Sequence, residues 1–430
     1  MEKRLLISSL SLLICLFFFK TVSGQETVNT GDTLRKGAVK VFLDCHTCDM
    51  NYTRQQIPYV NYVRDVREAE VYILVTTQRS GSGGNESTYT FIGQDKFLGM
   101  NDTLISNSNP NQTSAEIREK KTDKLKMGLM RYIARTPISE ELKISHNARM
   151  EKEQVVDKWD NWVFKIQTNP KFRAEKSYSN LTFTNSFDIT KITPSIKFEL
   201  NADQSNNKAV YKNDDGSRRE YIRKENKLKN LIVASINDHW SAGVVSLIES
   251  STTANFDLNF EVMPAIEYDI YPYAEATRRQ LRILYSTGFQ HSNYIDTSIN
   301  NKVKENLFRQ DLRLAYQIQE KWGYVNVSLT GSNYFHDFSK NKLQLSTFIS
   351  LRIIKGLSLS LNGGVAYVND QLNLKKGKLT EAERLLRLKE QATNFTVSGG
   401  ISISYTFGSI YNNVVNPRFG SSGGSGGGGN

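Results

Sequence analysis

The sequence predicts a small α+β domain followed by an all-β module, an antiparallel transmembrane β-barrel of about twelve strands. Three observations lead there. The first residues form an export signal, apolar and polar residues alternate with a period of two from Trp159 onward, and the alternation ends in the aromatic-rich run Gly400-Ile401-Ser402-Ile403-Ser404-Tyr405-Thr406-Phe407. Successive side chains of a strand point to opposite faces, so sustained alternation builds one apolar and one polar face. In an exported chain such a surface suits a wall between lipid and water.

Lys3 and Arg4 open the chain, Leu5 to Phe19 form an apolar core, and Val22-Ser23-Gly24 is a small-residue cleavage site. Residues 1–24 therefore read as a signal peptide, and the mature chain begins near Gln25. Cys15 lies within the apolar core, which continues through Phe19, so it is a poor acylation site. The formal charge of +11 falls to +9 on removal of the signal, with 52 basic residues against 43 acidic. In an exported protein that balance points to outer-membrane lipids and lipopolysaccharide as neighbours, and to no nucleic acid. No later segment holds the roughly 18 uninterrupted apolar residues of a membrane-spanning helix, which excludes a helical membrane protein.

Residues 25–150 form the first domain, with the element order β-α-β-β-α. Val39 to Asp44 reads as a strand, Asn51 to Val63 as a helix, and Glu70 to Gln78 as a second strand around Val71-Tyr72-Ile73-Leu74-Val75. Ser80 to Asn85 is a Gly-rich hairpin turn into Ser87 to Gln94. A polar loop follows, then a helix from Thr113 to Thr136 with Ile117, Leu125, Leu129, Met130 and Ile133 on one face and Pro137 as its stop. This order resembles the small α/β domains that precede larger modules in envelope proteins, such as the amino-terminal domain of the Tol-system propeller protein.

Residues 156–407 form the barrel and 408–430 a flexible Gly/Ser tail. Alternation predicts strands at 160–174, 178–191, 194–203, 223–236, 239–250, 255–271, 279–295, 306–319, 322–335, 341–354, 356–370 and 394–407. The even count returns both chain ends to one side of the membrane. Short turns near Lys191 to Pro194, Asn237-Asp238, Glu320-Lys321 and Lys355-Gly356 then face the periplasm, and the longer connections 204–222, 296–305 and 371–393 face outward. Trp159, Trp162, Trp240, Trp322 and Tyr271 fall at the periplasmic rim, as an interfacial aromatic girdle requires. Thr380 to Thr393 reads as a capped helix over the outer mouth.

Few residues suggest chemistry. Cys45 and Cys48, a C-x-x-C pair in an oxidising compartment, read as a structural disulfide; no second pair completes a metal site, and no cofactor or metal is expected. The phospholipase and lipid A deacylase families of the outer membrane place a His and a Ser two apart on one strand face. His291-Ser292 departs from that pattern with a spacing of one, and His239-Trp240-Ser241 keeps the spacing but sits at a periplasmic turn. Asp257, Glu261 and Glu267, with Arg282 and Arg313, are candidate lumen-lining charges for a hydrogen-bonded plug or a narrow pore.

The runs Asn237-Asp238-His239-Trp240-Ser241-Ala242-Gly243, Thr277-Arg278-Arg279-Gln280-Leu281-Arg282 and Ser404-Tyr405-Thr406-Phe407-Gly408-Ser409 resemble poorly characterised outer-membrane barrel proteins of Gram-negative bacteria that carry an amino-terminal periplasmic domain. Similarity to the salt-stress-induced outer-membrane proteins is looser. The resemblance implies an address in the outer membrane, with the first domain in the periplasm. It also implies the barrel-assembly machinery as a partner, reading Tyr405 and Phe407 as an insertion signal, and docking to a periplasmic or other outer-membrane protein. The expected role is non-enzymatic, in envelope maintenance or small-solute passage. An outer-membrane lipid hydrolase and a surface-exposed ligand-binding protein are the alternatives.

Overall fold

The computed structural model describes residues 36–80, 83–109, 112–142, 158–213 and 215–408. The expected signal peptide, most of the expected tail and the stretch 143–157 lie outside the described residues. Two sheets account for the strands: one of five, ordered β2-β1-β3-β4-β5, and one of twelve.

The five-stranded sheet uses β1 (Lys40–Asp44), β2 (Asn61–Tyr62), β3 (Val71–Arg79), β4 (Asn85–Gly93) and β5 (Asn101–Ser108). β1 runs parallel to β2 and β3, while β3, β4 and β5 are antiparallel. Helix α1 (Met50–Gln56) starts at Asp49, whose side chain accepts from the Tyr52 amide, and Pro58 follows its end. Helix α2 (Ser114–Ile133) opens with a capping box between Thr113 and Glu116. Val41, Val71, Ile73, Tyr89 and Phe91 of the sheet pack with Leu125, Leu129 and Tyr132 of α2 as the core. The opposite sheet face carries a second cluster of Val66, Tyr72 and Leu74 with Phe42 and Ile92.

The element order is thus β-α-β-β-β-β-α, which corrects the expected β-α-β-β-α. The first helix stops at Gln56 rather than Val63, because Pro58 cannot continue it and Asn61–Tyr62 pair with β1 instead. The expected polar loop contains β5, an edge strand in which only Ser106 is buried, so it shows no apolar face to read.

Gly128, in the middle of α2, exists for contact. A Cβ there would lie 2.0 Å from Cζ of Phe91, whose ring is fully buried. Gly128→Ala regains about 1 kcal/mol of helix propensity but overpacks the core at a cost of about 1–3 kcal/mol. The expected net result is a lower urea midpoint for the small domain's transition. A midpoint at or above wild type would mean that the Phe91 ring swings aside at little cost.

The larger sheet is antiparallel throughout, running in chain order from β6 to β17. Its strands are β6 (Trp162–Ala174), β7 (Tyr178–Ile192), β8 (Ile196–Lys212), β9 (Arg218–Ser235), β10 (Trp240–Ser251), β11 (Phe256–Asp269), β12 (Arg279–Tyr294), β13 (Lys304–Glu320), β14 (Gly323–Tyr334), β15 (Asp337–Ile354), β16 (Leu357–Val368) and β17 (Phe395–Tyr405). Each expected strand has its counterpart within a few residues, except that β8 and β9 run much further than 194–203 and 223–236. The expected outer loop 204–222 shrinks to 213–217, the remainder being ladder from Asp203↔Lys227 to Lys212↔Arg218. Polar residues on both faces there hide the strand from a search for alternation.

The closed barrel is not what the ladder contains. Among the described residues β6 and β17 are the two edges of the sheet, paired only to β7 and β16 respectively. The sheet is nonetheless strongly curled, since Ser205, Arg223 and Glu249 of β8, β9 and β10 line one cavity with Thr396 of β17. No helix among the described residues is long and apolar enough to cross a membrane.

Candidate functional site

The pairing register sorts side chains by face. On β11 to β15 the concave face carries Glu261, Gln290, Arg309, Ser332 and Lys342; the convex face carries Phe260, Ile266, Ile283, Leu312, Leu329 and Leu345. Convex apolar groups stand open, with Ile166 82 % exposed, Phe172 86 % and Ile401 75 %. Soluble monomers rarely show apolar patches beyond a few hundred Å². This surface runs along all twelve strands.

Polar groups on the concave face bond to one another. Asn259, Gln290 and Ser292 are buried and form a triangle with distances of 2.8, 3.0 and 3.1 Å. Asn259 donates to Glu261 at 3.1 Å, Glu261 faces Arg309 at 3.9 Å, and Arg309 donates to Asp311 at 2.8 Å. Glu267 faces Arg282 at 3.8 Å and accepts from the Tyr273 hydroxyl at 3.1 Å. Among the described residues Arg313 meets only the Thr330 hydroxyl, at 3.3 Å. Of the expected lumen charges, Glu261, Glu267, Arg282 and Arg313 share this face. Asp257 does not join them, because a bulge between Phe256 and Leu258 leaves it exposed outside the network. Arg309 was missed, although it stands two and four residues from Asp311 and Arg313 on the same face of β13.

At the short-turn end the small domain lies across the sheet. Arg352, at the end of β15, donates to Asp44 at 2.8 Å and stacks over the Phe42 ring at 5.2 Å. Asp44 also accepts from Tyr72 at 3.0 Å. Burial, followed by the neighbouring Asp44 carboxylate, pushes the Tyr72 phenol well above its ordinary pKa. Arg67 donates to the carbonyls of Arg352 and Ile353, Lys355 pairs with Glu68, and the Gly356 amide donates to Asp65 at 2.8 Å. Gly356 has φ +73°, and a Cβ on it would meet the Thr406 carbonyl at 2.1 Å. Arg64 donates to the carbonyls of Phe407 and Gly408, both at 3.3 Å. On the far side Gly83 of the β3–β4 hairpin stands against Val163 of β6.

The Cys45–Cys48 disulfide, with a Cα–Cα distance of 5.4 Å, forms the loop between β1 and α1. That loop is held from α2 by Lys121, which donates to the Thr47 hydroxyl at 2.7 Å. His46 and Asp44 line a cavity of about 360 Å³ with Tyr324, Phe348 and Ser350 of the concave face. The expected rim aromatics Trp159, Trp162, Trp240, Tyr271 and Trp322 all stand at this same end. Trp162 packs against Phe198 at 5.4 Å, Trp240 against Tyr268 at 4.7 Å, and Arg279 lies over the Tyr271 ring at 4.5 Å. Tyr405 and Phe407 pack together at 5.6 Å and are largely exposed.

The opposite end is crossed by the connection between β16 and β17, residues 369–394. Only Glu381–Leu385 of it is helix α3, shorter than the expected Thr380 to Thr393, with the Thr380–Glu383 capping box intact. Arg387, at φ +47°, leaves the helical region just after it. Asn255, 2 % exposed and at φ +62°, ties three connections together by donating to the carbonyls of Asp296 and Asn373 and accepting from the Asp296 amide. Asn tolerates that left-handed backbone better than most residues. The Thr380 amide, then Lys375, hold the Glu383 carboxyl down to about 2. Its folded value is depressed, so its contribution is present above pH 4.5 and is lost as pH falls toward 2.

The paired His and Ser candidates do not meet as catalytic couples. His291 is on the convex face beside Asn306, while Ser292 faces inward to Asn259. His239 Nδ1 lies 2.8 Å from the Asp269 carbonyl, and Ser241 bonds to Tyr273 at 3.0 Å. No group of three or more metal-ligating side chains is found among the described residues.

The geometry defines a protein with a mostly β fold, a curled twelve-stranded antiparallel sheet whose concave face is polar, preceded by a small mixed α/β unit. No family model matches the chain, and no curated protein matches it. Among solved structures it is similar to a bacterial polysaccharide outer membrane secretin, with 10 % identity and a TM-score of 0.28, over 57 % of this chain and 90 % of that one. That likeness is too shallow to bear on function.

Proposed function

We propose that the chain is an integral outer-membrane β-barrel, closed by pairing of β6 with β17, and that it acts as a non-enzymatic, gated passage for small solutes. The observation that carries this reading is the sorting of faces: exposed apolar side chains cover the convex surface and bonded polar ones the concave surface. The strands hold 11 to 18 residues, and a tilted strand needs about 9–11 to span the apolar layer. Two open edges in a sheet of this length would invite pairing with other chains. The small domain then sits in the periplasm as a stopper and is the part a periplasmic partner engages. Lipid and lipopolysaccharide surround the wall, and Tyr405 with Phe407 form the segment that the barrel-assembly machinery reads.

Closure has a direct test. β6 and β17 run antiparallel, and Ile166 and Ile401 both point outward near mid-strand. A cysteine at Ile166 should form a disulfide with one placed at Gly399, Ile401 or Ile403, positions of the same parity, because paired strands bring Cα atoms within about 4.4–6.8 Å. The cross-linked protein should resist the heat-induced change in gel migration. Failure of all three pairs in membranes would sink the barrel.

A further inference from the structure

The β8–β9 hairpin runs well past the apolar belt. On β8 the convex side chains change from Phe198, Leu200 and Ala202 to Gln204, Asn206 and Lys208, and Gln204 to Lys212 adds roughly 25 Å of strand. An element that leaves lipid has no need of aromatic groups on its water-facing side. Yet the concave face of this extension carries three tyrosines in a row: Tyr178 lies 5.0 Å from Tyr211, and Tyr211 lies 5.8 Å from Tyr221. Register fixes them there, since Tyr178 pairs with Tyr211 and Tyr221 with Ala209. None of the three hydroxyls has a side-chain partner among the described residues.

One step down the same face, a cavity of about 950 Å³ opens between the hairpin and the connection 369–394. Asn207 and Arg223 line it from the hairpin, with Arg387 and Thr393 opposite. Of its three carboxylates, Glu225 and Glu249 share Lys227 at 3.7 and 3.6 Å, and Glu390 accepts from the side-chain amides of Gln371 and Asn373, each at 2.7 Å. Lys389 is taken by Asp296 at 3.1 Å. Arg223, Lys224 and Arg387 have no acidic partner among the described residues, and with Lys389 they outnumber the lining carboxylates Glu225, Glu249 and Glu390 by four to three, so the lining is net positive.

We propose that this surface is a binding site for an acidic oligosaccharide. Tyrosine faces accept the C–H side of a sugar ring and their hydroxyls reach its rim, while the ring edges stay wet. Guanidinium groups hold carboxylate or phosphate substituents through paired N–H donors. The volume matches a site for a small organic ligand rather than a macromolecule. Aromatic rungs outside and unpaired arginines inside would draw such a chain inward along one face.

Exposure of this site at the cell surface rests on the outer-membrane reading; the binding chemistry does not. The test is titration calorimetry on the refolded, detergent-solubilised full chain, with hexagalacturonate, maltohexaose and lipopolysaccharide micelles as probes. Hexagalacturonate should bind at least tenfold tighter than neutral maltohexaose. Arg223→Gln and Arg387→Gln should each weaken it by about tenfold, and Tyr211→Ala should weaken both sugars alike. Competition by lipopolysaccharide would assign the natural ligand to lipid-borne saccharide, and its failure to compete would assign it to free saccharide. Equal affinity for the acidic and neutral sugars, or wild-type affinity in the double arginine variant, would overturn the site. Heat-modifiable migration monitors folding of each variant. Saccharide binding by a protein that fails the β6–β17 cross-link would remove the barrel and leave the site standing.

Discussion

Arg352→Ala should release the small domain from the sheet. Asp44, its partner, has a side chain only 8 % exposed, while Arg352 is 29 % exposed. Removing the guanidinium strands the carboxylate with the Tyr72 hydroxyl and also loses the stack on Phe42. Breaking a buried pair from one side costs about 3–5 kcal/mol, and partial exposure of the arginine lowers this to about 2–3 kcal/mol. The docked fraction relative to the free one should then fall by about 30- to 150-fold. Two readouts follow from the geometry. The Gly356 amide, which donates to Asp65 when docked, should exchange with solvent much faster, and single-channel records in a planar bilayer should show more frequent open steps than those of the wild type. Unchanged protection of Gly356 would mean that the remaining contacts suffice to hold the domain. Faster exchange with a silent bilayer would make the domain an anchor and not a stopper.

Deleting Thr396 to Phe407 should abolish membrane assembly outright. β17 pairs with β16 from Leu357↔Tyr405 to Tyr367↔Phe395, so its loss strips a whole ladder, leaves no partner to close against β6, and removes the Arg64 acceptor on Phe407. The expected result is loss of the membrane-integrated, heat-modifiable form. Removal of residues 409–430 should leave that form intact, since Tyr405 and Phe407 remain. Normal integration of the first deletion would show that the closing strand is misassigned. Failed integration of the second would move the insertion signal to Asn416-Pro417-Arg418-Phe419.

Alternation made the larger sheet legible because one of its faces is apolar and the other polar; where both faces are polar the signal vanishes. That is why β11 could be read from Leu258 onward, while the upper half of β8, with Gln204, Asn206, Asn207 and Lys208, looked like a loop. β5 escaped for the same reason, being an edge strand with water on most of its side chains. Charge partners were half legible. Parity placed Glu267 and Arg282 on one face, but which arginine meets Glu261 depends on stagger between strands, and stagger selected Arg309 over Arg313. Asp257 failed because a single bulge breaks parity at that point. The docking of Asp44, Asp65 and Glu68 onto the β15–β16 turn has no local signature: it joins residues 287 to 308 positions apart through two charge pairs and one backbone amide that look unremarkable singly. The tyrosine row is an intermediate case. Tyr211 and Tyr221 carry the right parity, yet only the register with β7 brings Tyr178 beside them.

The contacts of Arg64 with Phe407 and Gly408 tie the small domain to the residues just past the last strand, across 343 and 344 positions. A polypeptide is made from its amino terminus, so the small domain is complete long before the surface that receives it. Half of that surface, the β15–β16 turn, forms with its own hairpin, whereas the carbonyls at the end of β17 come into position only when the final strand is laid down. Long-range closures of this kind form late and slowly. Full seating of the domain therefore reports that the last strand is in place, and a chain halted one strand short would keep the β15–β16 contacts but lack the acceptors for Arg64. The same few hydrogen bonds that hold the domain in place thus serve as a record of workmanship, distinguishing a completed molecule from an unfinished one.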